Sequence, residues 1–323
     1  RRRHTRLLTV TGVQTCALPI CNGLTTGTVN TFLGASAGYA MTTGSNNTII
    51  GSYTGNQGGL DIRTASNYIV LSDGSGNPRV YWNNSGVMVQ AADASIHGLT
   101  VGLGAGSQIT NTVVGSGALA ANTSTNNTAI GYNALAANTS GQFNTAVGQG
   151  AASANTTGVQ NSIFGDNAFV TNTTGSYNSV FGRGALNSNT SGGNNTAIGQ
   201  FALVSNTTAS NNTAVGYQAG YTGQTTTGAT YLGYQAGYYK NGTNDGIGST
   251  FLGTVAGKNT TTGGDNTFVG AQAGYTNTTG TSNVALGAAA LNYNTTASNN
   301  TAVGYQAGYN ITTSTGNTAL GYQ

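Results

Sequence analysis

The chain repeats its apolar and polar positions on a period of 17 residues. A cassette of Asn, Thr or Ser, a variable residue, a large apolar residue and Gly recurs, as in Asn127-Thr128-Ala129-Ile130-Gly131 and Asn144-Thr145-Ala146-Val147-Gly148. The cassette glycines are Gly115, Gly131, Gly148, Gly165, Gly182, Gly199, Gly216, Gly233, Gly253, Gly270, Gly287, Gly304 and Gly321. Their spacing is 17, apart from 16 at the first step and 20 between Gly233 and Gly253. Gly34 and Gly51 add a further pair 17 apart. A fixed period of this length marks a solenoid, in which one coil cannot cover its apolar face until neighbours stack on it.

A β-strand alternates faces, which puts Thr128, Ile130 and Tyr132 on one side of the cassette and Ala129 and Gly131 on the other. The apolar residue before each glycine is expected to face the interior and form the repeat core: Val114, Ile130, Val147, Phe164, Phe181, Ile198, Val215, Leu232, Leu252, Val269, Leu286 and Val303. Ala stands three residues after the glycine in every complete copy except at Thr54. Seven residues after it, Asn122, Asn138, Asn155, Asn172, Asn189, Asn206, Asn277 and Asn294 open Asn-Thr corners, which stacking would align as an Asn ladder. A helix is a poor alternative, because Asn, Thr and Gly at this density have low helix propensity and the apolar positions do not recur at three and four. The expected fold class is all-β, a parallel β-solenoid or β-roll of 17-residue coils. At about 4.8 Å per coil, the twelve steps from Gly115 to Gly321 predict a rod of roughly 60 Å. Each coil has little to bury and a slender rod gains from association, so a homotrimer is expected, with Ala and Gly faces near the shared axis.

Between Gly51 and Gly115 the period lapses. Asn67-Tyr68-Ile69-Val70-Leu71-Ser72 reads as a strand, Asp73-Gly74-Ser75-Gly76-Asn77-Pro78 as turns and Arg79-Val80-Tyr81-Trp82 as a second strand. After a turn at Asn83-Asn84-Ser85-Gly86, Val87-Met88-Val89 closes a short antiparallel meander. The chain re-enters the rod at Leu99-Thr100-Val101-Gly102-Leu103-Gly104. In the 20-residue step, Lys240-Asn241-Gly242-Thr243-Asn244-Asp245-Gly246 reads as a polar loop on one coil. The organisation expected is N-terminal coils over 21–59, a β-hairpin-rich insert over 60–98 and solenoid repeats over 99–323, truncated within the last repeat.

The N-terminus changes the charge argument. Arg1-Arg2-Arg3-His4-Thr5-Arg6 and Val10-Thr11-Gly12-Val13-Gln14-Thr15-Cys16-Ala17-Leu18-Pro19-Ile20 resemble the translation of a short-read sequencing adapter. Residues 1–20 are therefore expected to be non-native, from a metagenomic read assembly. A secretory signal fits less well, since Thr9, Thr11, Gly12, Gln14 and Thr15 interrupt the apolar stretch. Without that segment, Arg63, Arg79, Arg183, Lys240 and Lys258 stand against six aspartates and no glutamate, a net charge of −1. No basic stripe remains to neutralise phosphates, so nucleic acid is not an expected partner. No apolar run approaches the ~20 residues that span a bilayer, so membrane insertion is not expected. Cys21 is left alone, with neither a disulfide framework nor a thiolate metal site.

Catalysis needs a placed acid, base, nucleophile or metal. Outside the adapter-like segment the one histidine is His97, beside Gly98 and without a second His or Cys at ligand spacing, and it reads as a turn residue. No catalytic, cofactor-binding or metal-binding residue is assigned, no cofactor is expected, and the chain reads as no enzyme. Asp73-Gly74-Ser75-Gly76-Asn77 lacks EF-hand spacing and reads as a turn. Gly102-Leu103-Gly104-Ala105-Gly106 is followed by no Lys and reads as corners. The many Asn-x-Thr sequons follow from ladder chemistry. Tyr217, Tyr221, Tyr234, Tyr238, Tyr275, Tyr305 and Tyr309 suit sugar stacking or, in the favoured reading, trimer packing. The ranked Thr123, Thr139, Thr156, Thr173 and Thr190 raise an ice-binding solenoid as a remote alternative, weakened because each follows a corner Asn.

Copies such as Asn212-Thr213-Ala214-Val215-Gly216-Tyr217-Gln218-Ala219-Gly220-Tyr221 resemble the repeats of phage tail-fibre proteins, and Ile69-Val70-Leu71-Ser72-Asp73-Gly74-Ser75-Gly76-Asn77 is similar to a block found in such fibres. The resemblance spans essentially residues 22–323. It implies a structural protein of the virion: an extracellular, trimeric bacteriophage tail fibre used in host attachment, with a host cell-surface glycan or protein receptor as partner. Fibres of this kind often end in a self-cleaving intramolecular chaperone, which this stretch of chain does not contain. The repeat is also similar to the left-handed parallel β-roll heads of trimeric autotransporter adhesins, whose repeat is somewhat shorter. That second resemblance implies a bacterial cell-surface adhesin.

Overall fold

The computed structural model describes residues 23–86, 88–90, 94–96, 99–106, 108–240 and 248–322. The adapter-like segment, Cys21, Val87, His97 and the insertion from Asn241 to Gly246 lie outside the described residues. Every described regular element is a β-strand. The chain divides into two compact units, one ending at Ala94 and the other running from Ser95 to Gln323.

In the second unit, three-residue strands stack in parallel, one per coil, from Thr112–Val114 to Thr318–Leu320. Register follows the cassette: Thr128 pairs with Thr145, Ala129 with Ala146 and Ile130 with Val147. The long step keeps it, with Thr230 opposite Thr250 and Leu232 opposite Leu252. Bonds run both ways between coils, as the Thr128 N–H donates to the Asn144 carbonyl at 2.8 Å and the Gly148 N–H to the Ile130 carbonyl at 2.8 Å. The closing glycine is required by this stacking. Gly148 has φ +137°, and a Cβ there would stand 2.5 Å from the Gly165 carbonyl oxygen of the next coil.

The inward residue of each strand is the middle one. Val113, Ala129, Ala146, Ile163, Val180, Ala197, Ala214, Tyr231, Phe251, Phe268, Ala285 and Ala302 are buried. The positions expected to form the core point outward instead: Ile130, Phe164, Phe181, Ile198, Leu232, Leu252 and Leu286 are 37% to 45% exposed. Val114, Val147, Val215, Val269 and Val303 are half-buried on the same face. The reason lies two residues upstream of the middle position. Asn127, Asn144, Asn161 and their equivalents are buried because their amides bond a neighbouring coil. A strand that turns Asn127 inward turns Ala129 inward and Thr128 and Ile130 outward. Apolarity alone prefers Ile130 for the core, but an inward Asn left unbonded on a slipped register would cost more.

The Ala rank is likewise internal. Ala134, Ala151, Ala168, Ala185, Ala202 and Ala219 are fully buried within a single chain. They line the inside of their own coils and do not form a surface for a shared trimer axis, which corrects the expected placement of the Ala faces.

In the first unit Thr31–Leu33 pairs in parallel with Thr48–Ile50, and the ladder continues one coil beyond the visible period, to Ile69–Ser72. Thr48 faces Ile69 across a 21-residue step that loops out the small hairpin of Asn56–Gln57 and Leu60–Asp61. Ile69–Ser72 then pairs antiparallel with Pro78–Trp82, and that strand with Met88–Gln90. The meander is therefore present, with its first strand serving as a rung of the solenoid. Phe32, Met41, Ile49, Tyr53, Ile62 and Val70 form one core across both parts.

Candidate functional site

With parity set by the inward Asn, each strand from Thr112–Val114 to Thr318–Leu320 shows solvent one hydroxyl residue and one apolar residue, except Val284–Leu286, where Val284 takes the hydroxyl position. Stacking in register turns these into two ranks, Thr128, Thr145, Ser162, Ser179, Thr196 and Thr213 beside Ile130, Val147, Phe164, Phe181, Ile198 and Val215. Like side chains lie over like, and the rings of Phe164 and Phe181 stack with centroids 4.8 Å apart. The apolar rank continues through Leu232, Leu252, Val269, Leu286 and Val303 without a charged member. A continuous strip of this kind, on the order of several hundred Å², is at the upper end of what soluble monomers leave uncovered, the range in which apolar patches are often interaction surfaces.

The expected Asn ladder is present at the corners. Asn138 Nδ2 donates to Asn122 Oδ1 at 2.8 Å, Asn155 to Asn138 at 2.9 Å, Asn172 to Asn155 at 2.7 Å, Asn189 to Asn172 at 2.8 Å and Asn206 to Asn189 at 2.9 Å. Gly223, Lys240 and Thr260 then occupy the corner slot, and Asn206 Oδ1 is buried with no partner. A second ladder stands before the strands. The Asn144 N–H donates to Asn127 Oδ1 at 2.9 Å, while Asn144 Nδ2 donates to the Gly158 carbonyl at 2.8 Å. The same pattern repeats at Asn161, Asn178, Asn195 and Asn212. Reading the sequence missed this second ladder, although the Asn recurring directly before the cassette strand, in every coil from Asn111 to Asn317 except at Ala229 and Ser249, was its signal.

The ladders also decide several candidate sites. The corner sequon residues Asn138, Asn155, Asn172 and Asn189 are fully buried, with their amides engaged, and are closed to glycosylation. The Thr beside them do not present free hydroxyl ranks: Thr139 Oγ1 donates to the Thr156 carbonyl at 3.1 Å, and Thr156 to the Thr173 carbonyl at 2.9 Å. The tyrosines stack on one another, Tyr217 on Tyr234 at 5.5 Å and Tyr221 on Tyr238 at 4.8 Å between centroids, with Lys258 Nζ 5.7 Å from the Tyr238 ring. One face of each of these rings is thus engaged within the chain, while Tyr217 and Tyr234 remain 40% and 49% exposed.

Asp73 closes its own turn. Its Oδ1 accepts from Ser75 N–H at 2.9 Å and Asn77 N–H at 3.0 Å, and Arg79 Nη2 lies 2.6 Å from Oδ2. The Asn77 N–H first, and the Arg79 guanidinium with it, hold this carboxyl below the usual carboxylate range. Among the described residues no three His, Cys, Asp or Glu come together as a metal-binding group would require. Compared with protein-family models, curated proteins and solved structures, the chain matches none, so its reading rests on the repeat geometry itself.

Proposed function

We propose that this chain is a rod segment of a trimeric bacteriophage tail fibre, a structural element that carries attachment to the host cell. The observation that carries the reading is the outward apolar rank from Val114 to Val303, repeated in every coil of the second unit. A solitary rod has no use for it, whereas copies of the same solenoid offer a surface with the same repeat. Packing face to face would cover each rank with its equivalents and remove the sheet's one uncovered apolar side. Three copies follow from the resemblance of the Asn212 to Tyr221 repeat to trimeric fibres. The 17-residue coil favours a tail fibre over an adhesin head, whose repeat is shorter.

Light scattering on the full chain, together with circular dichroism, tests this. The expected result is a β-rich particle of three chain masses. A β-rich monomer at micromolar concentration overturns it.

A further inference from the structure

Between residues 99 and 240 the chain has three charged side chains, Asp166, Arg183 and Lys240. Asp166 and Arg183 hold the same slot, directly after the cassette glycine, in successive coils. Other coils fill it with Ser116, Tyr132, Gln149, Gln200 or Tyr217, so the repeat itself requires no charge there. The two are not ion-paired. Asn167 Nδ2 donates to Asp166 Oδ1 at 3.1 Å, while the Arg183 guanidinium stands 5.1 Å from the ring centroid of Phe201. Phe201 can lie down here because its neighbour in the preceding coil is Gly184, where a Cβ would come within 2.6 Å of the ring. Together with Asn187 and Val204 these residues line an open cleft of about 310 Å³, beside the sheet face and not on it.

We propose that this cleft binds one pyranose unit of a neutral polysaccharide. The volume lies at the small end of ligand pockets and suits a single sugar ring. Asp166 Oδ2 takes part in no hydrogen bond with the protein and is placed to accept from a sugar hydroxyl. Arg183, seated over the Phe201 ring, supplies donors to neighbouring oxygens, and Val204 supplies apolar surface for the C–H face of the sugar. One carboxylate and one guanidinium balance, which favours a neutral sugar over an acidic or amino sugar. The proposal rests on the attachment role above and names the ligand class for it.

Saturation-transfer NMR on the full chain, with D-glucose, D-galactose, D-mannose and L-rhamnose as separate probes, tests the cleft. The expected result is transfer to at least one sugar, lost in both Asp166→Asn and Arg183→Gln and retained in Tyr305→Ala. Both key substitutions are at exposed positions and are expected to leave the β spectrum in place. No transfer to any of the four, or transfer unchanged in the two cleft variants, overturns the proposal. The mass of the same samples reports separately on the fibre reading: a trimer that binds no sugar rejects the cleft alone, and a sugar-binding monomer rejects the trimer alone.

Discussion

The ring of Phe251 lies so close over Gly257 that a Cβ at position 257 would stand 2.7 Å from it, and Gly257 itself sits at φ +56°. The pair illustrates a volume rule inside the coils. Where the middle strand residue is aromatic, the residue six positions on is Gly, as in Phe32 with Gly38, Tyr231 with Gly237 and Phe268 with Gly274. Where it is Ala, that position is Leu in three coils, Ala129 with Leu135, Ala197 with Leu203 and Ala285 with Leu291, while Ala146, Ala214 and Ala302 stand with Ala152, Gly220 and Gly308. Where both positions are small, as at Ala214 and Gly220, side chains of the adjacent coils reach in, Leu203 and Tyr231 standing within 2.8 Å of where a Cβ at Gly220 would be.

Gly257→Ala is accordingly expected to lower stability by about 2–4 kcal/mol, from overpacking against Phe251 together with a left-handed backbone that disfavours a Cβ. Phe251→Ala should cost about 3–5 kcal/mol through the opposite fault, a cavity. The exchange Phe251→Ala with Gly257→Leu recreates the arrangement of Ala197 and Leu203, whose Leu already holds φ +48°. Thermal melts should place the double variant above Phe251→Ala alone. A double variant no better than that single would show that the two positions do not share one volume.

How much of this was legible in the sequence follows from what each signal measures. The period, the parallel class and the corner ladder could be read because equal spacing of like residues is what stacking demands. The inward face could not be read from apolarity, because Ile130 and Ala129 differ in size while Asn127 decides the parity. The coil at Ile69–Ser72 was hidden by a hairpin that lengthens one step, and the Asp166–Phe201 cleft by the distribution of its residues over separate coils.

The corner ladder predicts a contrast between its middle and its end. Asn172 both donates to Asn155 and accepts from Asn189, whereas Asn206 only donates, to Asn189 and to the Ala209 carbonyl, and its own Oδ1 has no partner. Asn172→Ala strands a buried acceptor and a buried donor and is expected to cost about 2–4 kcal/mol. Asn206→Ala strands fewer groups and should cost at least 1 kcal/mol less. Equal losses in denaturant titrations would mean that the ladder is not cooperative along the rod.

Tyr53 predicts alkaline sensitivity in the first unit. Its hydroxyl donates to the Leu60 carbonyl at 2.8 Å inside the core, and burial, with the nearby Asp61 carboxylate, raises its pKa far above the ordinary phenol value. The folded state holds the neutral phenol. Its contribution is therefore fully present below pH ~10, where the unfolded phenol titrates, and is lost as pH rises beyond that value. Melts from pH 8 to pH 11 should show the first unit weakening above pH 10. Tyr53→Phe should be less stable at pH 8, yet flatter across the range; an unchanged pH profile would remove Tyr53 as the cause.

The outward rank predicts that charge is tolerated one residue away from a position that cannot accept it. Val180 and Phe181 are neighbours on one strand, with Val180 fully buried and Phe181 41% exposed. Val180→Asp places a carboxylate among Ala and Leu side chains and is expected to cost more than about 4 kcal/mol, enough to open the coil. At the outward position of the next strand, Ile198→Asp leaves the charge in water in a free chain. It should therefore preserve the β spectrum while shifting the mass of the particle from three chains toward one, because the charge would have to be buried in any face-to-face contact. A trimer that survives Ile198→Asp combined with Leu232→Asp would place the contact on another face. Loss of the β spectrum in Ile198→Asp at a dilution where the wild-type chain is itself monomeric would reverse the parity assigned to the strand.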